Sequence, residues 1–154
     1  MDLGDLIRPE GVIGALKGKS KKQVLQELSG HAAKLTGLPE RDIFDTLLQR
    51  ERLGSTAVGE GVAIPHGKLG SLNQITGLFA RLSDPIDFEA MDDQPVDLIF
   101  LLLAPESAGA DHLKALARIS RLLRENKAID KLRASKDVAA LYAVLTESAT
   151  SHAA

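Results

Sequence analysis

Apolar and polar positions change period several times along the chain, and each change predicts an element. Val12-Ile13-Gly14-Ala15-Leu16 is a short apolar run that predicts a strand. Ser20 with Gln23 three residues later forms a capping box, which predicts a helix running to about Leu35. Val24, Leu28, His31 and Leu35 follow at spacings of four, three and four, so His31 falls on the apolar face as a partly buried structural histidine. After Gly37, Pro39 suits the first turn of a second helix, with Ile43, Phe44, Leu47 and Leu48 as its apolar stripe. Arg50 lies three residues past Leu47 and therefore starts on the inward side of that helix's end. A guanidinium is costly to bury without an anion, so its partner is either a local carboxylate or an anionic ligand.

From Gly54 to Gly70 the glycines at 54, 59, 61, 67 and 70 predict turns linking short strands. Gln74 to Leu82 alternates loosely as a strand that Ser83-Asp84-Pro85 should stop. Val96 to Leu103 is apolar on both faces apart from Asp97, as an interior strand covered on both sides should be. A third helix is expected from Ala110-Asp111 to about Arg124, with His112, Leu116, Ile119 and Leu123 on one face. Ile129 to about Val144 predicts one or two short helices covering the sheet, and the small polar residues after them read as a tail in which His152 is inert. The fold class is α/β, with a mixed sheet sandwiched between helices, as one domain over residues 1–146 and a flexible tail over 147–154.

Composition narrows the function. A length of 154 residues with 44% apolar content suits one domain with a substantial core. Nineteen Lys and Arg against 21 Asp and Glu leave a formal charge of -2, which offers no bulk attraction to nucleic acid or anionic lipid. Without cysteine there is no disulfide framework, thiolate zinc site or iron–sulfur cluster. The start, Met1-Asp2-Leu3-Gly4-Asp5, is acidic where a secretory leader would be basic, and the longest apolar run, Leu98 to Ala104, is far short of the roughly 20 residues that span a bilayer. The expectation is a cytoplasmic protein without membrane insertion.

The candidate chemistry centres on His66. In Gly61-Val62-Ala63-Ile64-Pro65-His66-Gly67-Lys68, Pro65 fixes its own φ and pushes Ile64 toward an extended conformation, while Gly67 removes side-chain bulk where a phosphoryl group or partner backbone would approach. The imidazole is thereby presented as a nucleophile. His112 sits in the first turn of its helix, where the dipole and unpaired N–H groups favour an anion, although alone it reads as an ordinary helix-start residue. Other motifs fail. Five residues separate Gly61 from Gly67 where a phosphate-binding P-loop has four, and Leu69 stands in place of its Ser or Thr. Gly59-Glu60-Gly61 lacks the third glycine of a dinucleotide fingerprint, and neither a Gly-x-Ser-x-Gly elbow nor a His-Glu-x-x-His helix occurs. A metal held by His66, His112 and Asp111 is disfavoured, because adjacent side chains converge poorly. No cofactor or metal is expected.

The stretch Arg50 to Lys68 closely resembles the active-site signature of the mannitol/fructose-type IIA proteins of the bacterial phosphotransferase system. The resemblance continues through Phe88-Glu89-Ala90-Met91-Asp92-Asp93-Gln94-Pro95-Val96-Asp97-Leu98 and Asp111-His112-Leu113, spans nearly the whole chain, and is strongest for the stand-alone, nitrogen-related branch. It implies a phosphotransferase/anion-transporter-like IIA domain in which His66 accepts phosphate from a histidine-phosphorylated carrier protein, with His112 as the second active-site histidine and Arg50 as the nearby arginine. It also implies output through phosphorylation state to regulatory targets such as potassium transport or sensor kinases; the alternative is a sugar-specific component passing phosphate to a IIB domain. Glu60 departs from the Asn or small polar residue of the family pattern and changes the charge beside the site. Physically, a neutral imidazole nitrogen can attack phosphorus in line, and Arg50 should favour that neutral form and stabilise the equatorial oxygens.

Overall fold

The computed structural model describes the backbone of residues 3–153 and the side chains of residues 3–147. A short helix α1 (Leu3–Leu6) leads into β1 (Ile7–Leu16), α2 (Lys21–Thr36) and α3 (Glu40–Arg52). Three short strands follow, β2 (Ala57–Gly59), β3 (Val62–Ala63) and β4 (His66–Leu69), then the two long strands β5 (Thr76–Ile86) and β6 (Val96–Pro105). A 3-10 turn at Glu106–Ala108 leads to α4 (Ala110–Leu123), α5 (Asn126–Ala134) and α6 (Val138–Ala153).

The sheet order is β1-β5-β6-β3-β2, with β4 also paired to β6. It is mixed: β1 runs parallel to β5, β5 antiparallel to β6, and both β3 and β4 parallel to β6. β3 and β4 are thus two pieces of one path along the same edge of β6, interrupted at Ile64-Pro65. Pro65 has no N–H to give, yet its carbonyl still accepts from Leu102 N at 3.0 Å, which keeps the path in register across the break. His66 opens the second piece, opposite Leu102.

β6 explains why the sheet is covered on both sides. Ile99, Leu101 and Leu103 pack with Leu28, Ile43 and Leu47 of α2 and α3. Leu98, Phe100 and Leu102 pack with Leu6, Ile119, Leu132 and Leu141 of α1, α4, α5 and α6. Both sets are fully or almost fully buried, as alternation along a central strand requires. α2 begins at Ser20, whose side chain accepts from Gln23 N, and ends at Gly37 in the left-handed region, as its pattern predicts. His31 is half-buried on this helix.

Several boundaries differ from the sequence expectations. β1 starts at Ile7 rather than Val12: its first half, Arg8-Pro9-Glu10, is exposed on the sheet edge, and a register irregularity between Ile7 and Val12 accommodates the proline. β5 does not stop at Ser83-Asp84-Pro85; these residues form an exposed irregularity, after which Ile86 returns to pair with Val96. A bulge absorbs what a regular ladder would exclude. The C-terminal region forms two helices, of which α6 runs to Ala153, well past Val144. The expected tail at 147–154, with His152, falls almost wholly outside the residues whose side chains are described. Among the described residues, no helix is long and apolar enough to cross a membrane.

Candidate functional site

Three elements converge at the start of β4. The last turn of α3 supplies Arg50, the break after β3 delivers His66, and the first turn of α4 supplies His112. Arg50 and His66, sixteen positions apart, meet with Arg50 Nε donating to His66 Nε2 at 3.3 Å. The His66 and His112 rings lie 5.7 Å apart between centroids, tilted by 57°. The fold therefore brings together all three residues singled out in the sequence.

The hydrogen bonds define the state of the His66 ring. Its Nδ1 lies 2.8 Å from the carbonyl oxygen of Ile64, which can only accept, so Nδ1 carries the proton. Arg50 Nε–H can only donate, so Nε2 must present its lone pair. Both contacts require the same tautomer. The Arg50 guanidinium is fixed in turn, since its Nη1 donates to the Gly54 carbonyl at 2.9 Å. His66 remains half-buried, so its ring edge reaches solvent.

His112 has a different environment. Burial comes first, followed by repulsion from the neighbouring basic groups His66, which disfavours both imidazoles being charged together, and Lys68; these hold its pKa below the ordinary value of 6.5. Its Nε2 is buried and has no hydrogen-bond partner among the described residues. A buried polar atom left unpaired is open to a partner that brings its own acceptor or donor. The helix it belongs to opens at Gly109 without a side-chain cap, and the His112 N–H in its first turn donates to the Gly109 carbonyl at 3.3 Å.

Gly67 has a different role from the one expected. A Cβ there would lie 2.6 Å from Thr46 Cγ2, so the glycine lets β4 pack tightly against α3 rather than clearing space for an incoming group. Arg50 is also only half-buried; the deeply buried ionisable residue at that helix end is its neighbour Glu51, 7% exposed. Glu51 lies four residues past Leu47, on the same helical phase as the core stripe, and that spacing was the available signal. Glu60, the family departure, adopts φ +55° in the turn between β2 and β3. Its N–H donates to Asp92 Oδ2 at 2.9 Å and its carbonyl accepts from Arg133 Nη2 at 2.5 Å, so backbone contacts hold the turn whatever side chain it carries. Among the described residues, no group of three or more His, Asp or Glu is placed to hold a metal ion.

The site thus sits on a mixed sheet between helix layers, with a histidine at a proline break and an arginine and a second histidine against it. The chain belongs to the family described as the phosphoenolpyruvate-dependent sugar phosphotransferase system, EIIA 2, which matches residues 5–148. It is 67% identical over 145 residues to a nitrogen regulatory protein of Bradyrhizobium diazoefficiens, covering 94% of this chain and 95% of that one. The crystal structure of nitrogen regulatory protein IIA-Ntr from Neisseria meningitidis is similar with a TM-score of 0.88 at 34% identity, covering 94% of this chain and 99% of that one. The crystal structure of IIA mannitol from Escherichia coli shares the fold, with a TM-score of 0.76 at 20% identity over 90% of this chain and 97% of that one.

Proposed function

We propose that this protein is the phosphoryl carrier of a nitrogen-related phosphotransferase system, accepting phosphate on His66 Nε2 from a histidine-phosphorylated carrier protein in the cytoplasm. The observation that carries the reading is the fixed His66 tautomer, with Nδ1 anchored on the Ile64 carbonyl and the Nε2 lone pair beside Arg50. In the transfer, the Nε2 lone pair forms a bond to phosphorus while the phosphorus–nitrogen bond of the donor phosphohistidine breaks, and the donor imidazole leaves with that electron pair. Positive charge develops on the His66 ring and is met by the Ile64 carbonyl. Arg50 turns from the ring nitrogen to the equatorial phosphoryl oxygens, where its charge counts most as they spread in the transition state. His112 contributes its unpaired Nε2 to the same group.

The nitrogen-related assignment, rather than a sugar-specific one, is supported by the 67% identity to a nitrogen regulatory protein over nearly the full length of both chains. In this reading the phosphorylation state of His66 is the output, because adding a dianion to an exposed site changes which regulatory proteins bind there. Labelled phosphate transferred from a phosphorylated carrier tests the first step: an acid-labile, base-stable label on His66 is expected, and a label elsewhere overturns the assignment. Incubating the labelled protein with IIB domains tests the second. Rapid loss of label to a IIB domain establishes the sugar-specific alternative, whereas retention together with state-dependent capture of potassium-transport or sensor-kinase proteins supports the regulatory one.

A further inference from the structure

We propose that Glu51 is a positioning residue for this transfer, setting the tautomer of His66 through Thr56 and Ile64; the inference rests on His66 being the phosphoryl acceptor. Glu51 lies on the core-facing side of the last turn of α3 and is 7% exposed. A carboxylate so placed must be fully partnered. Its Oε1 accepts the Thr56 N–H at 3.1 Å and its Oε2 accepts the Thr56 hydroxyl. The ammonium of Lys21 lies 3.0 Å from Oε1 and 4.8 Å over the Phe88 ring, balancing the buried charge.

From Thr56 the restraint passes to the active histidine. The Thr56 carbonyl accepts the Ile64 N–H at 3.0 Å, and the Ile64 carbonyl in turn holds His66 Nδ1 at 2.8 Å. The N–H and C=O of Thr56, and likewise of Ile64, lie in adjacent peptide planes joined at one Cα, so holding Thr56 restrains the backbone at Ile64 and through it the carbonyl that faces His66 Nδ1. A second branch reaches the arginine. It runs through the backbone alone: the Glu51 main-chain carbonyl, which any residue at 51 supplies, accepts the Gly54 N–H at 3.1 Å, and the Gly54 carbonyl holds Arg50 Nη1 at 2.9 Å. On the far side of the loop, Ser55 Oγ donates to the Phe88 carbonyl at 2.6 Å and accepts the Ala57 N–H at 3.1 Å. With the Glu51 carboxylate removed, Thr56 and the backbone at Ile64 lose a restraint, the Ile64 carbonyl holds the Nδ1 proton less firmly, and the form with the proton on Nε2, opposed only by Arg50, gains population.

The test uses three variants. Lys21→Met/Glu51→Met replaces the buried ion pair with apolar side chains of similar volume, a change that folds often tolerate. Thr56→Val deletes only the hydroxyl, and Thr56→Ser restores it. Proton–nitrogen correlation spectra of the imidazoles, recorded on unphosphorylated protein with no donor present, report the tautomer directly. The native chain is expected to show His66 as Nδ1–H alone, the first two variants a mixture, and Thr56→Ser mostly Nδ1–H. Transfer from the phosphorylated carrier should show kcat reduced about 10- to 100-fold in the first two variants, with KM for the carrier within about twofold of native, and Thr56→Ser recovering most of the loss. Native tautomer and native kcat in Thr56→Val overturn the proposal, as does a kcat loss with the tautomer unchanged, which marks Glu51 as merely structural. If the double variant does not fold, the two Thr56 variants decide alone. If no form takes up phosphate, the acceptor reading fails, while the spectra still decide whether the relay sets the tautomer.

Discussion

Arg50 Nε faces His66 Nε2 at 3.3 Å while its Nη1 holds the Gly54 carbonyl at 2.9 Å, so the guanidinium bridges the imidazole and the loop that ends its own helix. A lysine has neither the planar fork nor the second directed donor needed to make both contacts. Arg50→Ala should therefore slow phosphoryl uptake by roughly ten- to over a hundredfold, the equivalent of losing a charge-assisted contact worth about 1.5–3 kcal/mol. Arg50→Lys should recover only part of that loss. Rapid-quench measurement of label transfer checks both, and full activity in Arg50→Lys would show that charge alone suffices.

His66→Ala should take up no label while keeping the native melting temperature within a few degrees. The ring is half-buried at the start of a short strand and belongs to neither apolar core, so its removal leaves packing almost untouched. Circular dichroism melts paired with the labelling assay separate the two effects. A large fall in melting temperature would mean that His66 also carries structural weight.

His112 should give the protein an acid-sensitive step. Its pKa is held below 6.5, first by burial and then by electrostatic repulsion from the basic groups His66 and Lys68, so the unfolded chain binds this proton more readily than the folded one. The stability gained from neutral His112 is fully present above the unfolded value and is lost as pH falls through the lower folded one. Melting temperatures measured from about pH 8 down to about pH 5 should fall less steeply in His112→Gln than in the native chain. Phosphorylating His66 should raise the His112 titration midpoint, since a neighbouring dianion favours imidazolium; an unmoved midpoint in imidazole NMR would place the phosphoryl group away from it.

Gly67→Ala should destabilise the fold through Thr46 rather than through the backbone. Thr46 cannot easily swing away, because its hydroxyl is bonded to the Asp42 carbonyl at 2.8 Å, leaving its methyl 2.6 Å from the introduced Cβ. The expected cost is about 1–3 kcal/mol, typical of overpacking. Thr46→Ala in the same chain should return most of it. Urea unfolding of the four members of the cycle measures the coupling, and additive losses would exclude the clash.

Much of this architecture is legible in one dimension. The Ser20–Gln23 cap and Gly37 bound α2 because hydroxyl, amide and left-handed glycine each satisfy backbone groups that a helix end leaves open. The unbroken apolar run of β6 identifies the central strand, since only a strand covered on both faces tolerates it. Strand ends were less legible. Ser83-Asp84-Pro85 looks like a stop, yet Pro85, like Pro9 in β1, lies at an irregularity on an exposed stretch where a missing N–H costs little.

The residue string by itself nominated the side chains with chemistry to offer: an imidazole after a proline, a second imidazole in a helix's first turn, and a guanidinium at a helix end. Their meeting was decided only by the tertiary structure, because the broken path of β3 and β4 along β6 sets His66 against α3 on one side and α4 on the other. The His66 proton, the unpaired nitrogen of His112 and the buried Glu51 likewise depend on backbone carbonyls and amides that every residue carries. Such groups leave no mark in a sequence, and their directions exist only once the strands have paired.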